Sequence, residues 1–133
     1  MYLLDTNACI RLLNKSGNSH FVEKFLSYRP ADYKLCSVVK HELYYGAYKS
    51  SRVNENLIKL ERFFENFESL TLCDQSSAIA GDIRRQLERS GQTIGVYDML
   101  IAAIALANNL IVITHNTREF SRVAQLQYED WES

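Results

Sequence analysis

The sequence predicts a three-layer α/β/α fold around a short parallel sheet, and three observations carry that expectation. Short apolar runs at residues 1–4, 33–37, 70–72 and 110–114 alternate with longer segments whose apolar residues recur at helical spacing. One proline and five glycines leave few tight turns, which disfavours a sandwich or barrel. A chain of 133 residues, 47% of them hydrophobic, can fill one core and not two, so a single domain over residues 1–133 is expected.

Taken in order, Met1 to Leu4 reads as a buried strand, Asp5-Thr6-Asn7 as a polar turn, and Cys9, Ile10, Leu12 and Leu13 as the apolar side of a helix. A loop is expected from Asn14 to Asn18, then a helix holding Phe21, Val22, Phe25 and Leu26. Tyr33 to Ser37 reads as a second strand, with Ser37 capping a helix from Val38 to Lys49. Val53, Leu57, Leu60, Phe64 and Phe67 form one apolar stripe on the next helix, and Glu55 and Lys59 stand in the favourable i,i+4 order. Leu70 to Leu72 is the expected third strand, and Asp74 or Ser76 the cap of a helix that buries Ile79, Ile83 and Leu87 and stops before Gly91. Met99 to Ala107 is apolar on every side, so its helix should be buried all round. Leu110 to Thr114, apolar along most of its length, completes the parallel set.

Fifteen basic against sixteen acidic residues give a net charge of −1, so no global positive field draws the chain to nucleic acid or anionic lipid. Cys9, Cys36 and Cys73 are odd in number and lack C-x-x-C spacing. Neither a disulfide framework nor a thiolate zinc site is readable, and a reducing cytoplasm is expected. No stretch approaches the length of a membrane span.

The acidic residues carry the chemistry. Asp5 stands where the first strand ends, and in parallel α/β folds ligands gather beyond the carboxyl ends of the strands. Glu42 lies on the inward side of its helix, in step with Val38 and Val39, where a carboxylate is costly unless paired or bound to metal. Asp98 opens the most hydrophobic helix. Each has an ordinary explanation, as turn residue, ion-paired rim acid or helix cap. Together, on three elements that meet at one rim and with no basic residue close in sequence to Asp5 or Asp98, they call for a hard cation with oxygen ligands, Mg2+ or Mn2+.

The motifs L-L-D-T-N at 3–7, S-V-V-K-H-E-L-Y-Y-G-A at 37–47, I-G-V-Y-D-M-L-I-A-A at 94–103 and V-I-T-H-N-T-R-E-F at 112–120 occur in this order along the chain. In this arrangement the sequence resembles the PIN-domain endoribonucleases, and among them the VapC toxins of toxin–antitoxin pairs. The resemblance implies a metal-dependent nuclease in which Asp5, Glu42 and Asp98 direct water at an RNA phosphodiester. It also implies a homodimer, a cognate VapB antitoxin whose C-terminal segment covers the cleft, and a transfer RNA substrate. Many PIN domains carry aspartate where this chain has Asn116, which leaves the fourth polar position open between Asn116 and Glu119.

On this reading Asp5 and Asp98 are direct metal ligands, Glu42 is a ligand or water-positioning acid, and Thr6 and Asn7 brace Asp5 through hydrogen bonds. Glu119 is favoured as an outer ligand, although Asn116-Thr117-Arg118-Glu119 also has the spacing of a capping box. Arg84, Arg85 and Arg89 are candidate phosphate contacts, or a solvated helix face. Three other readings remain. A phosphatase could use Asp5 as nucleophile, although the second aspartate usual two residues on is here Asn7. A metal-free ribonuclease could use His41 and His115. A silent interaction domain could present Tyr44, Tyr45 and Tyr48.

Overall fold

The computed structural model describes residues 1–14 and 19–132. Its elements run β1 (Tyr2–Leu4), α1 (Thr6–Asn14), α2 (Ser19–Leu26), a 3-10 turn (Pro30–Asp32), β2 (Tyr33–Cys36), α3 (Ser37–Tyr48), α4 (Val53–Phe64), β3 (Glu68–Leu70), α5 (Asp74–Ser90), α6 (Val96–Ala107), β4 (Ile111–Ile113), α7 (Thr117–Phe120) and β5 (Tyr128–Glu129). The loop expected at Asn14 to Asn18 falls outside the described residues, except that Asn14 ends α1.

The strands form one sheet in the order β3-β2-β1-β4-β5, every neighbouring pair parallel. The chain steps from β1 through β2 to β3 on one side, then crosses back to β4 on the other side of β1. Right-handed crossovers therefore put the helices before β3 and those after it on opposite faces of the sheet. Helices α1, α3 and α4 pack on one another, and α5 packs along α6. The reversal makes the carboxyl end of β1 a topological switch point, where two loops diverge and leave a crevice. Asp5 is the first residue beyond that end.

Strand residues Leu3, Leu4, Leu35, Cys36, Val112 and Ile113 are almost wholly buried, as expected of a sheet covered on both faces, and Ile101 to Ala105 bury every side of α6. Tyr2, Tyr28, Tyr33 and Trp131 pack ring against ring, tying the C-terminal segment to β1 and β2.

Four local expectations are corrected. β3 runs from Glu68 to Leu70 rather than from Leu70 to Leu72: its ladder partner β2 ends at Cys36, opposite Leu70, and Lys34 fixes the register through a 2.6 Å pair with Glu68. Ser37 is the first helical residue of α3 rather than its cap, because Cys36 keeps an extended backbone (φ −133°, ψ 161°) to the helix start. Similarly, α5 starts at Asp74 with Cys73 before it, and the buried Ser76 hydroxyl turns back to the Cys73 carbonyl at 3.0 Å. α4 stops at Phe64, where the Asn66 amide takes up the Arg62 and Phe63 carbonyls. Phe67 still packs on Phe63, but from the turn. The left-handed Gly91 (φ 69°) ends α5 where expected.

Candidate active site

Asp5 is 4% exposed and held from two directions. The Ala8 amide, in the first turn of α1, donates to Oδ1 at 2.8 Å, and the Thr114 hydroxyl donates from the end of β4. The same Thr114 oxygen accepts the Asn116 amide at 2.9 Å, so one buried threonine joins the ends of β1 and β4. Burial outweighs these bonds and pushes the Asp5 carboxyl up to about 6, with smaller contributions from the negative charges of Glu132 and Glu42.

Glu42 approaches from α3, half-buried, and accepts the Thr6 hydroxyl at 2.6 Å. This corrects the role expected for Thr6, whose hydroxyl orients Glu42 and not Asp5. Asn7 is exposed beside it, and the bracing of Asp5 comes from Ala8 and Thr114 instead. The reason is helical geometry. As the first residue of α1, Thr6 projects across to α3, while the Asp5 carboxylate turns back to the free amides of its own helix.

Asp98 and Glu119 meet across the mouth of the cleft. The Asn116 amide donates to Asp98 Oδ2 at 3.0 Å and to Glu119 Oε2 at 2.9 Å, bridging both carboxylates. Burial and a hydrogen bond with Glu119 push the Asp98 carboxyl up to about 7, helped by the charges of Glu119 and Asp5. That same hydrogen bond holds Glu119 below its ordinary range. Two carboxyls this close titrate as a pair, with Asp98 pushed up and Glu119 held down. The capping box is corrected here: the Asn116 side chain caps nothing, and Glu119 Oε1 accepts the Gly95 amide ahead of α6 at 3.2 Å instead of the Asn116 backbone amide, which bonds Thr114. Two carboxylates in want of a donor draw the Asn116 amide away from the helix end.

Among the described residues the donors to Asp5, Glu42 and Asp98 are all neutral, three acids on three elements pressing like charges together. An all-oxygen donor set with mutual repulsion fits a hard divalent cation, which removes the repulsion that burial magnifies.

Residues 2–126 match the model of the PIN domain. The chain belongs to the PIN-domain family. It is 34% identical to Ribonuclease VapC2 of Rickettsia felis over 132 residues, covering 99% of this chain and 98% of that one. It is 37% identical to the tRNA(fMet)-specific endonuclease VapC of Salmonella typhimurium, covering 98% and 97%. Its fold superposes on a crystal structure of DNA-bound VapBC from Salmonella typhimurium with a TM-score of 0.90 at 36% identity, covering 98% and 97%.

The remaining candidates of this PIN domain have other partners. Arg84 pairs with Glu88 at 3.3 Å and Arg85 with Asp82 at 2.7 Å, both along the exposed face of α5, where Arg89 is also exposed. His115 faces Asp130 at 3.1 Å, and Asp130 raises its pKa. Together with Glu132, which is ion-paired to Arg11, these form a group of three metal-ligating side chains with donor atoms within 4.8 Å of one another. Tyr44 turns onto Phe64, leaving Tyr45 and Tyr48 exposed. The sequence reading missed Thr114 and Gly95. A threonine ending an otherwise apolar strand at the active edge is the signal that pointed to the first; a backbone amide leaves no trace in sequence.

Proposed function

We propose that this chain, read as a single PIN domain over residues 1–133, is a metal-dependent endoribonuclease that hydrolyses RNA phosphodiesters as the toxin of a toxin–antitoxin pair. The observation that carries the reading is the buried Asp5 at the switch point, facing like charges on Glu42 and Asp98 and held only by neutral donors. Asp5 and Asp98 would hold Mg2+, with Mn2+ as a substitute. When bound, the cation neutralises the phosphate, lowers the pKa of a water and stabilises the departing oxygen. Glu42, oriented by Thr6, is set to position the attacking water and accept its proton as the new P–O bond forms. Glu119 and Asn116 orient Asp98 through hydrogen bonds, so Glu119 acts as an outer acid. A phosphatase nucleophile at Asp5 is disfavoured by its burial and by Asn7, which stands where a second aspartate is usual.

The relatives named for tRNA(fMet) cleavage and the VapBC assemblies support transfer RNA as substrate and a VapB-type antitoxin as partner. A homodimer and a cytoplasmic location belong to the same reading. No described helix is long and apolar enough to cross a membrane. The test is cleavage of total transfer RNA by the purified chain with Mg2+, Mn2+ or chelator, with RNA ends mapped by sequencing. Metal-dependent cuts absent from Asp98→Asn are expected; cleavage in chelator would refute the metal reading.

A further inference from the structure

Beside the acids lies an open groove of about 630 Å³ whose walls the proposed chemistry leaves unused. Thr6 and Glu42 line it where it joins the cleft, so it continues directly from the catalytic acids. Along α3, His41, Tyr45 and Lys49 stand four residues apart and so share one stripe. Tyr97, the residue before Asp98, closes the other wall and packs on His41, ring centroids 5.1 Å apart. Tyr45 is 61% exposed and Tyr97 46%, and Lys49 sits over the Tyr45 ring at 4.8 Å. Exposed aromatic faces followed by a cation form the pattern by which proteins hold single-stranded nucleic acid: bases stack on rings, and the ammonium meets the backbone.

We infer that Tyr97, His41, Tyr45 and Lys49 form a subsite for the single-stranded RNA next to the scissile phosphate, with bases stacked on Tyr97 and Tyr45 and the following phosphate held by Lys49. This rests on the ribonuclease reading above. The need for such a subsite follows from charge: the chain is net negative and the cleft acidic, so the flanking nucleotides of a polyanion must be held by something other than the overall field. Continuity with the acid cleft and the cation at the far end favour RNA over a second copy of the chain on this face.

The experiment is fluorescence anisotropy of a labelled single-stranded oligoribonucleotide with the full chain, beside cleavage kinetics and sedimentation. Tyr97→Leu and Tyr45→Leu keep apolar bulk but lose the ring, and each should weaken RNA binding about tenfold. KM should rise by the same factor while kcat and the melting temperature hold, and Tyr97→Phe should restore binding. Lys49→Gln should reduce the slope of log affinity against log salt by about 0.7. Unchanged RNA affinity in the leucine variants would overturn the inference, most clearly if they dissociate a dimer instead, which would make the face a self-contact. Failure of the ribonuclease reading would appear separately, as a wild-type chain that cleaves no RNA, while anisotropy still reports on the groove.

Discussion

Two clusters of acids stand at the same edge of the sheet, and they are built in opposite ways. Asp130 and Glu132 have basic partners: His115 faces the first, and Arg11 pairs with the second. Among the described residues, Asp5, Glu42 and Asp98 meet hydroxyls, amides and another carboxyl, and no cation. The first arrangement satisfies its own charge and binds the C-terminal segment to α1 and to the end of β4. The second leaves negative charge that protein groups do not neutralise; burial first, and the neighbouring acids after it, raise two carboxyl pKa values towards neutrality. Close grouping of ligand atoms therefore does not mark the reactive site. His115, Asp130 and Glu132 have the tighter grouping, but the uncompensated cluster is the one with chemistry still to do.

The largest effect that would break this contrast is on cleavage. Asp5→Asn and Asp98→Asn keep shape and remove charge, and each should lower the rate by roughly two to three orders of magnitude, the scale on which one electrostatic stabiliser acts. Circular dichroism and thermal melts should show both variants folded, since in Asp5→Asn the side-chain carbonyl oxygen can still accept the Ala8 amide. Near-normal cleavage in either would place the reactive charge elsewhere.

Next in size is the response to metal. A divalent cation that binds only the folded chain at a hundred times its Kd adds about 2.7 kcal/mol of stability, which in a chain of this length raises Tm by roughly 4 °C per kcal/mol. The gain should appear with millimolar Mg2+ or Mn2+ and vanish in Asp5→Asn. A shift that persists there and disappears in His115→Ala would move the metal to the charge-paired cluster.

The pH dependence follows from the same contrast. Asp5 and Asp98 are raised to about 6 and about 7 in the folded chain, above their ordinary range near 3.8. Carboxyls raised by folding contribute stability that is full below the unfolded pKa and is lost as pH rises through the folded one. Without metal, stability should therefore fall between about pH 4 and 7; with saturating metal the loss should be offset, because the cation binds the deprotonated form. Urea melts at both ends of that window, with chelator and with Mn2+, read this directly.

Much of this site was legible in the sequence because charge at the ends of apolar segments is legible. Asp5 ends a buried strand and Asp98 opens a buried helix, so periodicity alone put them at element boundaries. What escaped was set by tertiary competition. Asn116 and Glu119 had capping-box spacing, yet Asp98 and the Gly95 amide, both outside the motif, captured their side chains. β5 escaped because two residues, Tyr128 and Glu129, carry no period; it exists as a partner for β4. The strand expected at Leu70 to Leu72 moved because its length was set by the end of β2, not by its own composition.

A smaller effect separates Glu119 from the ligands. Glu119→Gln keeps the acceptor for the Gly95 amide but removes the charge against which Asp98 holds its proton. Mn2+ affinity should fall about tenfold, the lower end of what groups behind a ligand contribute, and the pH midpoint of binding should move down as Asp98 gives up its proton more readily. Calorimetry across pH separates the two effects. Adding Asn116→Asp should return part of the affinity by supplying the carboxylate that many PIN domains carry there.

The smallest effect tests whether the two clusters are independent. Glu132 belongs to the paired cluster, yet its charge is among those that raise Asp5. Glu132→Gln should lower Tm by a few degrees, because the ion pair between Arg11 and Glu132 is lost and the C-terminal segment is held less tightly. Its effect on the reactive site should be narrower. With one like charge gone, the Asp5 carboxyl should titrate lower, but the same lost charge no longer draws the cation. Mn2+ should therefore bind more weakly at pH 8, where no proton competes for Asp5, and the loss should shrink near pH 6, where easier deprotonation of Asp5 offsets part of it. An equal loss at both pH values would mean that Glu132 acts on the cleft through structure and not through charge. No loss at either would mean that pairing to Arg11 screens it fully. Only a loss that shrinks at the lower pH fits a satisfied cluster whose residual field still reaches the unsatisfied one.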